Sequence, residues 1–253
     1  MKCRGILFGL NYSTAAPDIK LLGSINDVKS MSVYLETTFK MPLDVYTDAV
    51  DTKHTTRMAM IQHLYEFALK SYSEDLDFAW IHYSGHGSYV RDLSGDDRDG
   101  ADECLVPSDF TTAGLLPDDI IESLFRNFNP KTRVICVFDC CHSGTVGDVL
   151  YSWDAPRRVN VENIMCEVPA KLITLSASMD NQTAVEAILN NEYHGAMTAC
   201  LLLVLAEPWA RTADVFKILE EVKAKLKVAK IYQNPRLCST YNLAKDPQFL
   251  PPP

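Results

Sequence analysis

Several features that would assign a chain to a broad class of protein are missing from this sequence of 253 residues. Its eight cysteines include no C-x-x-C pair and no spacing typical of a disulfide-stapled fold, which favours a reducing, cytoplasmic environment. Basic residues are too few for a positive surface, since the formal net charge is −9. This balance argues against nucleic acid as a general partner.

Long apolar runs and nucleotide-binding motifs are also missing. Residues 201–205 (LLLVL) are followed closely by Glu207 and Pro208, so they predict a core helix and no membrane partner. The first residues, MKCRG, lead straight into a strand-like run, and we expect no signal peptide. Neither a Walker A motif nor G-x-G-x-x-G follows that first strand, which weakens a nucleotide-binding interpretation.

Strand-like and helix-like patterns alternate along the chain, and they predict an α/β fold with a parallel sheet and helices on both faces. The predicted strands are residues 5–10, 43–46, 78–82, 134–138, 171–175 and 235–241. The predicted helices are residues 25–39, 55–69, 117–128, 194–205 and 212–228. The least regular stretch, residues 152–169, is predicted to be an exposed loop. No repeat or flexible linker divides the chain, so a single domain over residues 1–253 is expected.

A histidine and a cysteine follow two of these predicted strands. Residues 83–87 (YSGHG) follow one, and residues 139–144 (DCCHSG) follow the other. Neighbouring parallel strands open their carboxyl ends onto one crevice, so His86 and a cysteine would face each other as proton-transfer partner and nucleophile. Side chains alternate along an extended segment, so Cys140 and Cys141 cannot both point at His86. The spacing alone does not choose between them.

Thiol catalysis explains the other residues of these two segments. A helix N-terminus and a nearby imidazole both favour the thiolate. Glycine beside His86 lets the backbone approach a substrate carbonyl, and the N–H groups of Gly87 and Cys141 would then hold an oxyanion. His86 would protonate the leaving amine. The simpler interpretation is a buried, unreactive cysteine and a histidine that makes a structural hydrogen bond.

The two segments resemble the His and Cys boxes of metacaspases, which are cysteine peptidases of the caspase fold. Further segments are similar in the same order, namely residues 22–28 (LGSINDV), 97–103 (DRDGADE), 176–183 (SASMDNQT) and 195–198 (GAMT). The resemblance extends from about residue 5 to residue 241. The family nucleophile directly precedes a His-Ser-Gly triplet, and this identifies Cys141 rather than Cys140.

The resemblance implies an overall organisation. It implies a caspase-like three-layer sandwich with a mainly parallel central sheet, and a monomer. A large-subunit-like region would cover about residues 1–150, a loop residues 151–169, and a small-subunit-like region residues 170–253. This is similar to the type I arrangement, without the Pro/Gln-rich segment that precedes the peptidase region in many relatives. Ser24 stands where many relatives carry Cys.

An acidic substrate pocket is a second implication of the resemblance. Asp27 and Asp139, assisted by the hydroxyl groups of Ser84 and Ser24, would bind Arg or Lys at the P1 position of a protein or peptide substrate through charge-assisted hydrogen bonds. The residues taken alone favour simpler roles. Asp27 would be a first-turn helix acid, and Asp139 would stabilise a turn.

A calcium site is the third implication, with four carboxylate ligands: Asp102, Asp118, Asp119 and Asp148. Residues 97–100 (DRDG) are similar to part of an EF-hand. The first ligand position would be Gly95, however, and the twelfth Val106, which excludes that motif. Calcium would neutralise the crowded carboxylates and order the loop that carries Asp148. Without the resemblance, these acids would form a solvated charge run.

Together these features predict a calcium-stimulated cysteine endopeptidase that cleaves after Arg or Lys. Arg157 and Arg158 lie in the predicted loop and offer sites for self-processing. The alternative is a catalytically silent, calcium-responsive scaffold on the same fold. The intact pair of His86 and Cys141 argues against that alternative.

Overall fold

A computed structural model of the chain describes residues 1–91, 101–140, 149–155, 158–177, 186–189 and 191–251. The strands are β1 (Cys3–Gly9), β2 (Leu43–Thr47), β3 (Phe78–Ser84), β4 (Gly87–Arg91), β5 (Ala101–Leu105), β6 (Leu116–Pro117), β7 (Arg133–Asp139), β8 (Tyr151–Ala155), β9 (Arg158–Val161), β10 (Lys171–Ser176), β11 (Glu186–Leu189), β12 (Glu192–Gly195) and β13 (Arg236–Ser239). The helices are α1 (Ser24–Phe39), α2 (Arg57–Ser73), α3 (Phe110–Ala113), α4 (Asp118–Phe125), α5 (Ala196–Leu205) and α6 (Val215–Val228). A short 3₁₀ helix, Pro208–Arg211, follows α5.

Eight strands form one sheet in the order β2-β1-β3-β7-β10-β13-β8-β9. The first five are parallel to one another, and β13, β8 and β9 each run antiparallel to the strand before them in that order. Strands β4, β5 and β6 form a small antiparallel sheet, and β11 and β12 form a separate hairpin. The predicted mainly parallel sheet is confirmed.

Helices cover both faces of the large sheet because its central strands are apolar on both sides. All seven residues of β3 are buried, so its side chains alternate between two cores. On one face, α1, α5 and α6 contribute Val28, Leu201 and Val222. On the other face, α2 and α4 contribute Phe67 and Phe125. This is the expected three-layer arrangement.

One edge of the large sheet collects the ends of its parallel strands. Strands β1, β3, β7 and β10 all run toward it, and they end there at Gly9, Ser84, Asp139 and Ser176. We call this the carboxyl edge. Ligands of parallel α/β sheets bind outside such an edge.

The prediction of a loop over residues 152–169 was wrong for its first half. Strands β8 and β9 pair as an antiparallel hairpin at the far edge of the sheet. In β8, Trp153 is buried against Phe216 of α6, and its indole N–H donates to Ser239 Oγ at 2.7 Å. All four residues of β9 are exposed, so that strand lacks the apolar alternation that reveals a strand in a sequence.

Three helix predictions needed smaller corrections. Val33 of α1 and Met58 of α2 were expected on apolar faces, but their side chains are 61% and 67% exposed. Leu64 and Ala68 of α2 face the core as predicted. His194, predicted as helical, lies in β12. Residues 201–205 do lie in a helix that packs in the core. None of the helices in the described ranges has the length and apolar character needed to cross a membrane.

Candidate active site

The ends of β3 and β7 lie side by side, which is the arrangement that the Cys–His hypothesis requires. Ser84 pairs with Asp139, and the next backbone amide, that of Gly85, donates to the Asp139 carbonyl at 3.3 Å. His86 follows Ser84 by two residues, and Cys141 follows Asp139 by two. Cys141 and Asp148 themselves lie outside the described residues, so their predicted roles stay predictions.

Cys140, the competing candidate nucleophile, has no access to a substrate. Its side chain is 0% exposed and belongs to the apolar cluster that contains Phe138 and Tyr83. Asp139 precedes it, and the side chains of adjacent strand residues point to opposite faces. The burial of Cys140 favours Cys141 as the nucleophile.

The imidazole of His86 has a defined orientation. Its Nε2 donates a hydrogen bond to the Ile19 carbonyl at 2.6 Å, because a carbonyl oxygen accepts but never donates. That bond fixes the proton on Nε2 and leaves Nδ1 for exchange with a nucleophile. Gly87, the predicted oxyanion donor, directly follows His86 and begins β4, where it pairs with Leu105.

Tyr12 holds the backbone on which His86 is carried. Its hydroxyl accepts a hydrogen bond from the His86 N–H at 2.9 Å and donates to the Val106 carbonyl at 2.7 Å. The two rings of Tyr12 and His86 lie 4.8 Å apart. Tyr12 adopts a left-handed backbone conformation (φ 52°), and the buried carboxylate of Asp48 accepts from its N–H at 2.6 Å. Tyr12 is therefore a positioning residue for His86.

Asp27, Asp139 and Ser84 are brought together, as predicted. Asp27 is 0% exposed in the first turn of α1, and it accepts hydrogen bonds from Ser84 Oγ at 2.5 Å and His194 Nδ1 at 2.9 Å. The Gly195 N–H donates to both oxygens of Asp27, at 3.0 and 3.1 Å. Asp139 Oδ2 accepts from the Thr198 N–H at 2.7 Å.

Gly195 lies between the two carboxylates. A Cβ atom there would overlap Asp139 Oδ2 and would lie 2.8 Å from Asp27 Oδ2. Glycine is therefore required where β12 passes the pair. The other oxygen of Asp139, Oδ1, is buried and accepts no hydrogen bond from the part of the chain that is described. A buried carboxylate oxygen in that state is suited to a cationic ligand.

The electrostatics of the pair follow from burial and proximity. Burial raises the pKa of Asp27, against the lowering effect of hydrogen bonds from His194 and Ser84. Burial, and then the charge of Asp27, raise the pKa of Asp139 to about 7. His82, two residues before Ser84 on β3, has its pKa lowered by burial to about 3, so it is neutral. The imidazole of His82 therefore does not neutralise the pair.

The β11–β12 hairpin fixes the start of α1 against this pair. Glu186 accepts from the N–H groups of Leu22 and Gly23 at 2.7 and 2.5 Å. A Cβ atom on Gly23 would lie 2.7 Å from the backbone of His194, so the hairpin approaches the helix very closely. Ser24, predicted to assist the pocket, is buried at the first residue of α1, where its carbonyl packs against Gly9.

Sequence reasoning missed the hydrogen-bond donors from the small-subunit-like region. His194 directly precedes the segment 195–198 that carried the resemblance, and Thr198 is its last residue, but no local pattern assigns these two residues to Asp27 and Asp139. Tyr12 was missed as well. The available signal was its place three residues after β1, at the carboxyl edge, where polar residues are often functional.

The second acidic group is only partly assembled in the described chain. Asp102 lies on β5 and Asp118 begins α4, and both are buried, whereas Asp119 is exposed. Cys104 follows Asp102 by two residues on β5 and pairs with Pro117, the residue that precedes Asp118. Burial, followed by the charges of Asp118 and Asp102, raises the pKa of the Cys104 thiol to about 12. The described ranges contain no cluster of three or more metal-ligating side chains.

Comparisons with known proteins agree with the geometry. A family model described as the metacaspase peptidase C14 domain matches residues 3–150. Metacaspase-1 of Kluyveromyces lactis is 26% identical over 98% of this chain and 68% of its own length. Metacaspase-1 of Ajellomyces capsulatus is 27% identical over 97% of this chain and 82% of its own.

A solved structure shares the fold. The crystal structure of protein GSU0716 from Geobacter sulfurreducens matches with a TM-score of 0.62 and 24% identity, over 94% of this chain and 93% of that one. Three findings indicate the same family: the fold, the order of the His and Cys segments, and the match of the family model over more than half of the sequence. The chain belongs to the metacaspase family of cysteine peptidases.

Proposed function

We propose that this metacaspase is a calcium-stimulated endopeptidase that cleaves after Arg or Lys, with Cys141 as nucleophile and His86 as proton-transfer residue. The observation that carries the proposal is the buried pair of Asp27 and Asp139, which adjoins the end of the strand leading to Cys141. Asp139 Oδ1 has no described hydrogen-bond donor, and His82 is neutral. Asp27 already accepts from His194, so a guanidinium or ammonium group would chiefly serve Asp139.

The chemistry would proceed by acyl transfer. The Cys141 thiolate attacks the scissile carbonyl carbon, an S–C bond forms, and the carbonyl electron pair moves onto oxygen, which the N–H groups of Gly87 and Cys141 stabilise. Nδ1 of His86 has taken the proton of the Cys141 thiol, and this proton passes to the amine nitrogen as the C–N bond breaks. Water then attacks the carbonyl carbon of the thioester and gives one proton to Nδ1 of His86. The C–S bond breaks, and that proton passes from His86 to the departing sulfur. The acid product leaves and the thiol is restored.

Substrate orientation would come from the acidic pocket. The hydroxyl of Ser84 holds Asp27 through its 2.5 Å hydrogen bond, and the Thr198 N–H holds Asp139. Both carboxylates sit on rigid elements, the first turn of α1 and the last residue of β7. Carboxylates that are held in place bind a basic P1 side chain in one position, and they bind an apolar P1 side chain less well.

The donor set of the second acidic group fits calcium, which takes carboxylate oxygens in preference to nitrogen or sulfur. Asp102 and Asp118 would hold it, with Asp119 and Asp148 as the further predicted ligands. Calcium bound there would neutralise the mutual repulsion of these carboxylates. The strand that carries Asp102 continues to Val106, whose N–H donates to the His86 carbonyl at 3.2 Å. Ordering of β5 would therefore steady the turn that carries His86.

The proposal is tested with purified protein and three short fluorogenic peptides that differ only in ending in Arg, Gln or Asp. We expect calcium-stimulated release from the Arg peptide, little from the other two, and none from the Cys141→Ala variant. Undiminished cleavage by Cys141→Ala would overturn the assignment of Cys141 as the nucleophile. Equal cleavage of the Arg and Gln peptides would overturn the role of the acidic pocket.

Self-processing is proposed at Arg157 or Arg158. Arg158 is exposed at the start of β9, which is the outermost strand of the large sheet and has no neighbour on its other side among the described strands. Arg157 lies outside the described residues. A cut there requires local opening of the β8–β9 hairpin, so we expect it to be slower than peptide cleavage. N-terminal sequencing of fragments after a calcium time course checks the site. Fragments that begin elsewhere would exclude it.

A further inference from the structure

A second pocket lies beside the C-terminal end of α6, apart from the acidic pair. It has a volume of about 470 Å³, and Lys223, Lys227 and Lys230 line it together with Ile231 and Tyr232. The chain as a whole carries a formal charge of −9, so three lysines around one pocket run against the general balance. Local positive charge in an acidic protein indicates an anionic ligand.

Gln233 lines the same pocket and supplies an independent observation. The residue is only 8% exposed, and neither its amide nitrogen nor its amide oxygen has a hydrogen-bond partner in the described ranges. An unsatisfied buried amide destabilises a fold, so such groups are rare unless a ligand completes them. Both amide atoms are shielded from solvent in this structure, so the N–H donates to a carboxylate once the Gln233 side chain turns into the pocket.

Helix-end electrostatics do not account for the whole pocket. Lysines in a last turn stabilise the helix dipole, which is a sufficient explanation for Lys227. Lys230 lies beyond the helix in the left-handed conformation (φ 57°), where glycine is usual, and the Ile231 N–H bonds back to the Leu226 carbonyl at 3.0 Å. This cap holds Lys230 at the pocket. The amide of Gln233 takes no part in the cap, so helix capping does not explain why that amide is buried.

The topology places this pocket at the carboxyl edge. Helix α5 begins at that edge, because the Thr198 N–H bonds to Asp139, and α6 runs back toward it. Arg236 begins β13 and pairs with Ser176, the last residue of β10, so the segment between α6 and β13 lies at the same edge. Strand β13 is two strands from β7, a lateral distance of roughly 10 Å. Helices α1, α5 and α6 share one layer.

We propose that this lysine pocket binds an acidic side chain of the protein substrate while the acidic pair binds its basic P1 residue. The inference rests on the proposed function. The lysine ammonium groups attract the carboxylate, the Gln233 amide donates to it, and Ile231 and Tyr232 contact its apolar stem. An extended peptide advances about 3.3 Å per residue, so the acid lies roughly three or more residues from P1.

The first experiment compares peptides that share one Arg and carry either Glu or Gln at each position two to six residues on either side. We expect a preference for Glu at one or two positions, of roughly threefold to tenfold in kcat/KM. The double variant Lys227→Glu/Lys230→Glu should reduce that ratio to one or below. The control Lys40→Glu should keep it, because Lys40 is also exposed and left-handed (φ 53°) but lies at the opposite edge of the sheet.

The outcomes separate the two proposals. Cleavage after Arg with a Glu/Gln ratio of one at every position overturns the lysine pocket and leaves the proposed function standing. Binding is also measured without turnover, by following the side-chain amide signal of Gln233 in NMR spectra of Cys141→Ala. A Glu-containing peptide should shift that signal and its Gln-matched peptide should not. Equal shifts, or none, overturn the pocket even if no peptide is cleaved.

A further variant distinguishes ligand binding from a structural role for the amide. Gln233→Met conserves volume and removes the unsatisfied polar atoms, so its thermal stability should be equal to or above that of the wild type. The same variant should lose part of the Glu preference. A lower stability with an unchanged preference would assign Gln233 to the fold and contradict its role in the pocket.

Discussion

Two pairs of buried aspartates lie within this fold, and their surroundings differ. Asp27 and Asp139 lie at the carboxyl edge of the large sheet, on the first turn of a long helix and the last residue of a central strand. Asp102 and Asp118 belong to the small antiparallel sheet and the start of a short helix. The first pair is held by directional donors from three further elements. Oxygens held by such donors suit an organic cation of defined shape, whereas the carboxylate donor set predicted for the second pair suits a metal ion.

The largest expected effect comes from removing one charge of the first pair. Asp139→Asn keeps the side-chain shape and its acceptor for the Thr198 N–H, but it halves the negative charge facing a P1 cation. We expect kcat/KM for an Arg peptide to fall about 100-fold or more, since a buried charge loses its partner. Steady-state kinetics on Arg and Gln peptides measure it. Retained selectivity for Arg would show that the first pair does not bind P1.

The equivalent substitution in the second pair should change calcium binding and calcium stimulation, and it should leave P1 selectivity unchanged. Asp118→Asn removes a buried carboxylate beside Cys104. We expect loss of most calcium stimulation, with at least a roughly tenfold weaker calcium affinity by calorimetry, and an unchanged ratio between Arg and Gln peptides. Asp139→Asn should bind calcium as the wild type does. If each variant impaired both properties equally, the division between the two pairs would be wrong.

The sequence predicted the central strands and the polar turns after β3 and β7, because apolar runs and the polar turns that follow them are local signals. The adjacency of these two strands was a condition of the Cys–His hypothesis, and the structure meets it. Asp27, Ser84 and Asp139 could be named from the family resemblance. Their hydrogen-bond partners could not, because His194 lies 167 residues from Asp27 and Thr198 lies 59 residues from Asp139. Such pairing depends on where the β11–β12 hairpin packs. Strand β9 was missed because its exposed side chains carry no burial pattern.

A smaller effect on catalytic rate is expected from Tyr12, which lies between the turn of His86 and the strand of Asp102. The hydroxyl of Tyr12 contacts both the His86 N–H and the Val106 carbonyl, so it links the catalytic turn to the strand of Asp102. Tyr12→Phe removes both bonds and leaves the ring contact. We expect kcat to fall roughly tenfold with KM nearly unchanged, because a slightly misplaced catalytic group costs rate rather than binding. A change confined to KM would contradict a positioning role.

The smallest effect concerns stability, and it follows from the raised pKa of Asp139. That pKa is about 7 in the fold against an ordinary value of 3.8, so between these values the folded state holds a proton that the unfolded state has lost. Unfolding free energy therefore falls as pH rises from about 4 to 7, and the cost of the buried charge is complete above about 7. Asp139→Asn has no such cost. It should raise the melting temperature by a few degrees at about pH 8 and by little near pH 4, as read from thermal unfolding at both pH values. An equal gain at the two pH values would show that the charge of Asp139 is not its cause, and that crowding beside Gly195 is the better explanation.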